Sequence, residues 1–146
     1  MYKKILVPLD GSKTAEVVLA HAKALAYSEG AEIALLNVAA NPAQEFAFED
    51  PAIAGYSVAE QEQKAATYMS KVCDEIKAAG FKVSCHLREG SPANTILKVS
   101  EELGVDAIAM ATHGRNWPAT WLIGSVAERV VRHSKVPVLM IRANES

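Results

Sequence analysis

The chain has 146 residues, half of them apolar and 22% charged, with a formal net charge of −2. That length can bury roughly 68–70% of the unfolded surface, enough for a real core, and predicts one domain over residues 1–146. The balance carries no signature of disorder, and so small a net charge gives no pull toward nucleic acid or an anionic membrane.

The opening stretch "MYKKILVPLDGS" has only a strand's length of apolar residues before Asp10 and Gly11. That is too short for the apolar region of a signal peptide, and no later run approaches a membrane span, so a cytoplasmic protein is expected. Cys73 and Cys85 form no C-x-x-C and stand near no histidine cluster. They are expected to be free core thiols in a reducing compartment.

Strand and helix patterns alternate along the chain. Lys4–Leu9 reads as a short apolar strand, and Ser12–Ser28 as a helix with Ala15, Val18, Leu19, Ala22, Leu25 and Ala26 on one face. Gly30 stops that helix before the second strand, Ala31–Val38. A long polar and aromatic connection, 39–56, leads to a capping-box pattern at Ser57–Glu60 and a second helix ending at Gly80. The third strand, Phe81–Arg88, alternates apolar with polar as an edge strand would. Ser91 and Pro92 open a third helix that ends at Gly104, and Asp106–Ala111 is the fourth strand. A glycine-bearing loop, "ATHGRNWPATWLIGS", precedes a fourth helix from Ser125 to about His133, and Val136–Arg142 is the last strand.

Strands joined by helical crossovers predict a five-stranded parallel, doubly wound α/β sheet with helices on both faces. The least polar strands, the first and fourth, belong in the middle, which gives the order 3-2-1-4-5. In that order the chain reverses direction between strands 1 and 4, and a ligand crevice opens between their C-terminal ends. Pro8, Leu9 and Asp10 flank it on one side and Ala111–Gly114 on the other.

The loop at that crevice suits a phosphate. Gly114 lets the backbone come close to a ligand, and Gly124-Ser125 opens a helix whose first amides lack intrahelical partners. The Ser125 hydroxyl, Arg115 and Arg129 are available as further donors, and Asp10 can accept hydrogen bonds from a ribose or an adenine amino group. Plainer readings stay open. Ser125–Glu128 is itself a capping-box pattern, Asp10-Gly11-Ser12 suits a simple turn and N-cap, and Trp117 and Trp121 would serve to pack the loop. His21, His86, His113 and His133 fall on different elements and predict no metal site, with His113 alone close to the crevice. Neither G-x-G-x-x-G nor a P-loop is present, and the first loop lacks the paired acids of a phosphoacceptor domain.

With these motifs in hand, the chain resembles a universal stress protein. "ILVPLDGS", "GAEIALLNV", "EGSPANTIL", "DAIAMATHG" and "LIGSVAERVVRHSKVPVLMIR" follow in the family's order over almost the whole length. The nucleotide-binding branch of that family carries G-x-x-G, nine residues, then G-[ST]. Gly114, Gly124 and Ser125 match, while Ala111 stands where the first glycine belongs. The resemblance implies ATP binding, with a divalent ion such as Mg²⁺ held through the phosphates. It implies that Pro8, Leu9, Asp10 and Val38 line the adenosine pocket and that the Met110–Ala111 backbone passes the ribose. Gly114, Gly124, Ser125 and Val126 would take the phosphates. If the first position demands a positive φ, alanine costs on the order of 1 kcal/mol there; if it demands contact with the sugar, one methyl intrudes.

The resemblance also implies a homodimer paired along Val136–Arg142, which signals to a protein partner that the sequence does not name. No carboxylate pair, no base beside a nucleophile and no phosphate lysine can be named, so any hydrolysis of ATP is expected to be slow. A nucleotide-free interaction module with a purely structural glycine loop is the rival expectation, and an adenylate-using enzyme a weaker third.

Overall fold

The computed structural model describes residues 1–11, 13–39, 58–112 and 123–142. The expected caps Ser12 and Ser57, the 40–56 part of the long connection, and His113, Gly114, Arg115, Trp117 and Trp121 lie outside them.

Strand β1 (Lys4–Pro8) is central because Ile5, Leu6 and Val7 are fully buried, which only a strand covered on both faces permits. Helix α1 (Lys13–Glu29) buries Val18, Ala22 and Ala26, spaced one turn apart, and ends at Gly30 with φ 68°, a left-handed turn that glycine makes without strain. Strand β2 (Glu32–Ala39) follows, then helix α2 (Val58–Ala78), which seats Met69, Val72 and Ile76 on the sheet. The remaining elements are β3 (Val83–Glu89), α3 (Pro92–Leu103), β4 (Ala107–Ala111), α4 (Ser125–His133) and β5 (Val138–Ile141).

All pairings are parallel, and the strand order is β3-β2-β1-β4-β5, as expected. Odd and even residues of the inner strands face opposite layers. Ile5, Val7, Leu9, Ile33 and Leu35 build the layer under α1 and α2; Leu6, Leu36, Ile108 and Met110 build the layer under α3 and α4. Helix α3 has Ser91 at its N-cap and Pro92 in its first turn, and Gly104 closes it in the left-handed region at φ 62°. Just before it, Gly90 has φ 145°, and a Cβ there would meet the Thr95 hydroxyl at 2.8 Å. Strand β5 starts two residues later than expected. Pro137 contributes only its carbonyl, which accepts from the Ile108 amide at 3.0 Å.

The cysteines correct the sequence expectation. Cys73 and Cys85 are not free thiols but a disulfide between α2 and β3, with Cα atoms 6.4 Å apart. No spacing rule signals this pair, because it is the landing of α2 on one face of β3 that brings the sulfurs together. Closing so short a loop removes chain entropy worth about 3 kcal/mol from the unfolded state. The cysteine pattern therefore gives no support to a reducing compartment. No helix among the described residues is long and apolar enough to cross a membrane.

Candidate functional site

The crevice at the switch point has a specific backbone cause. In a parallel ladder each residue points its N–H and C=O toward one neighbouring strand, alternately left and right. Lys4 faces β4, since its carbonyl accepts from the Asp106 amide at 2.8 Å, and Leu9 faces β2, since its amide donates to the Leu36 carbonyl at 2.8 Å. Pro8 therefore turns its nitrogen toward β4, and that nitrogen has no hydrogen to donate. The β1–β4 ladder accordingly stops after Ile5–Ala107 and Leu6–Ile108, whereas β1 and β2 pair through all of Lys4–Pro8. Proline in a central strand is exceptional, and here it marks where two strands part.

The opposite end of the seam is tightly held. The Asp106 carboxylate accepts from the Lys3 amide at 2.7 Å and the Lys4 amide at 3.0 Å. These two amide donors keep its carboxyl below the ordinary carboxylate range.

At the open end, Pro8 is half-buried, Leu9 buried and Asp10 exposed, with Gly11 turning the chain at φ 85°. Asn37 fixes this corner: its buried side-chain amide donates to the Leu9 carbonyl at 2.9 Å. Sequence analysis read Asn37 as an ordinary strand residue, although a lone amide near the end of an apolar central strand is a usable signal. Across the crevice, Met110 is buried and Ala111 ends β4 opposite Ile141. Because Ala111 is strand backbone, that position makes no demand for a positive φ, and the alanine carries no strain. Its side chain packs with the cluster that holds Leu9, Ala109 and Ile141. Val38, Ile123 and Val126 lie on the other layer, against the cluster of Leu36, Ile96 and Met110.

Helix α4 begins where β4 ends. The Gly124 amide donates to the Thr112 carbonyl at 2.6 Å, and the Thr112 amide donates to Ile141 at 2.9 Å. This bond pins both ends of the glycine loop together beside the crevice. The capping-box alternative for Ser125 does not hold. Gly124 is the N-cap, so Ser125 is the first helical residue, and the N-cap residue supplies no side-chain cap. Glu128 turns away to pair with Arg132 at 2.7 Å instead of reaching back to the first amide. Gly124 is buried, with φ −79° and ψ 163°, a conformation open to any residue. The backbone there makes no demand for glycine. Ser125 and Arg129 are exposed on the first turn.

Helix α2 reaches the same corner. The Tyr68 hydroxyl donates to Glu16 Oε1 at 3.5 Å. Burial, then the charges of Glu16 and Asp10, push its pKa up to about 12, so it stays a neutral donor near Asp10.

The structure thus gathers Pro8, Leu9, Asp10, Val38, Met110, Ala111, Gly124, Ser125 and Val126 around the C-terminal ends of β1, β2 and β4. Gly114 and Arg115 fall outside the described residues. Chemically, the arrangement offers a carboxylate on one side and, on the other, a glycine-capped helix start with partial positive charge.

Known proteins share this architecture. The chain is 34% identical to universal stress protein MJ0577 of Methanocaldococcus jannaschii, covering 100% of this chain and 98% of that protein. The solved structure of MJ0577 superposes with a TM-score of 0.84 at 35% identity, over 100% of this chain and 99% of its own. A universal stress protein in complex with cAMP shares the fold at 22% identity, covering 98% of each chain, TM-score 0.69. So does one from Archaeoglobus fulgidus in complex with dAMP, at 23% identity, covering 96% of this chain and 98% of that one, TM-score 0.68. Residues 1–142 match the universal stress protein family as a whole, and the chain belongs to that family.

Proposed function

We propose that this protein binds an adenine nucleotide, ATP by preference, in the crevice between β1 and β4, and that occupancy is its signal to a protein partner. The observation that carries this is the start of α4: a helix N-terminus with glycine as its N-cap, tied to the end of β4 by the Gly124–Thr112 bond, beside the gap that Pro8 opens. An anion is the natural partner for such a helix start. Gly124, Ser125 and Val126 would hold the phosphates, with Gly114 and Arg115 from the loop. Pro8, Leu9, Asp10, Val38 and the Met110–Ala111 backbone would line the adenosine half. A divalent ion such as Mg²⁺ suits the phosphate side; its ligands would be phosphate oxygens, since no three-residue acidic or histidine cluster exists among the described residues. That the same fold holds cAMP in one protein and dAMP in another supports an adenine ligand.

The working unit in this reading is a homodimer paired along β5. The strand is a sheet edge, with Leu139 42% exposed, and pairing with its own two-fold copy closes the edge against further growth. One observation favours the rival, nucleotide-free module: the side chain of Ala111 stands where the nucleotide-binding branch has glycine. Heating the purified protein and identifying the released small molecules by mass decides between them. Stoichiometric adenine nucleotide supports binding; an empty protein that also fails to bind added ATP and Mg²⁺ in a titration refutes it.

A further inference from the structure

The disulfide between Cys73 and Cys85 joins two elements that are already seated without it. Helix α2 is held by Met69, Val72 and Ile76, each at most 4% exposed. Strand β3 is held by an unbroken ladder to β2 from Val83 to Glu89. The turn between them is closed by backbone bonds from Gly80 to Lys77 and from Phe81 to Ile76. None of these contacts depends on the Cys73–Cys85 bond, so that bond can open and close within a folded chain.

The two cysteines also differ in access. Cys85 lies in the middle of an edge strand and is exposed, whereas Cys73 is half-buried and packs against the core under α1 and α2. Thiol–disulfide exchange proceeds at the sulfur a thiolate can reach. Solvent reaches Cys85.

We propose that Cys73–Cys85 is a thiol–disulfide exchange site for low-molecular-weight thiols, with Cys85 as the attacked sulfur. A small thiolate bonds to Cys85 Sγ while the S–S bond breaks, and its electron pair leaves on Cys73 as a thiolate. A second small thiolate then attacks the small-molecule sulfur of the mixed disulfide. This forms the small-molecule disulfide and releases Cys85 as a thiolate, and both protein thiolates take protons from water. Two small thiols are thereby oxidised to one disulfide, and the protein disulfide is reduced to two thiols. With an oxidised small-molecule disulfide as co-reactant the sequence runs backward, and Cys85 is the residue that carries the adduct.

The test uses the full chain and glutathione as the probe. Oxidised wild type should take up no iodoacetamide in its native state. After incubation with reduced glutathione it should take up label on both cysteines, with an unchanged far-ultraviolet circular dichroism spectrum. Against oxidised glutathione, Cys73→Ser should form its mixed disulfide at least about tenfold faster than Cys85→Ser, since access differs. Loss of the native spectrum on reduction of the wild type would overturn the proposal without reference to any variant. Two alkylatable thiols after oxidation would also overturn it, as would equal rates in the two variants.

Discussion

Replacing Asn37 by leucine tests how the Leu9–Asp10 corner, the adenosine side of the proposed site, is held. The Asn37 side chain is 8% exposed and its amide donates to the Leu9 carbonyl at 2.9 Å, one residue before Asp10. Leucine keeps the branched four-heavy-atom shape, with methyl groups larger than the amide atoms they replace, so the chief loss is the hydrogen bond, which leaves a carbonyl without that donor. Such a group costs about 1–3 kcal/mol. At about 2–4 °C per kcal/mol for a chain of this size, the melting temperature should fall by about 2–12 °C. The urea midpoint should fall while its slope stays constant, since the surface exposed on unfolding is unchanged. Affinity for ATP should drop by about tenfold, or about 1.4 kcal/mol, because the turn carrying Asp10 loses its anchor. Asn37→Ala, which adds a cavity, should be worse in stability by about 1 kcal/mol and no worse in affinity. A melting temperature within about 1 °C of wild type, with unaltered affinity, would refute the anchoring role.

Gly124→Val should abolish nucleotide binding in a folded protein, because φ −79° suits valine and its side chain would fill the proposed phosphate position; titration calorimetry with ATP and a melting curve check both halves. Asp10→Ala should weaken ATP while leaving competition by tripolyphosphate nearly unchanged, and equal losses for both ligands would place Asp10 elsewhere. Leu139→Asp should shift sedimentation from dimer to monomer, and a wild type that is monomeric at tens of micromolar, roughly where a specific interface is filled, removes the β5 pairing. Asp106→Ala should lower the urea midpoint at neutral pH. The Lys3 and Lys4 amides depress the folded-state pKa of Asp106, so its contribution is present above the ordinary carboxylate range and lost as pH falls through that depressed value. The gap between variant and wild type should therefore close in acid.

The sheet order was legible because burial on both faces leaves a continuous apolar run, as in Ile5–Val7, while an edge strand alternates, as in Val83–Glu89. The crevice followed from that order, and Pro8 marks its mouth for a physical reason that the sequence displays openly. The start of α4 was ambiguous, since Ser125 and Glu128 have the spacing of a capping box; only the position of Gly124 as N-cap and the Glu128–Arg132 pair resolve it. The disulfide was hidden because its partners meet through the docking of a helix on a strand, which local spacing does not encode. Asn37 and Tyr68 were missed for a similar reason: each acts on a backbone or carboxylate that is distant along the chain.

The short seam between β1 and β4 also governs how the molecule can breathe. Strands β3 and β2 share seven paired positions, β2 and β1 five, β4 and β5 four, but β1 and β4 only two. A motion that spreads the strand ends above Leu6 and Ile108 breaks none of these pairs. It leaves the ladder intact, while the Asp106 clamp holds the other end as a hinge. Amides along the upper rim should thus exchange with deuterium through a low-energy local opening, and those of Ile5 and Leu6 only through global unfolding. A guest would enter by prising apart a slot whose two walls remain internally zipped.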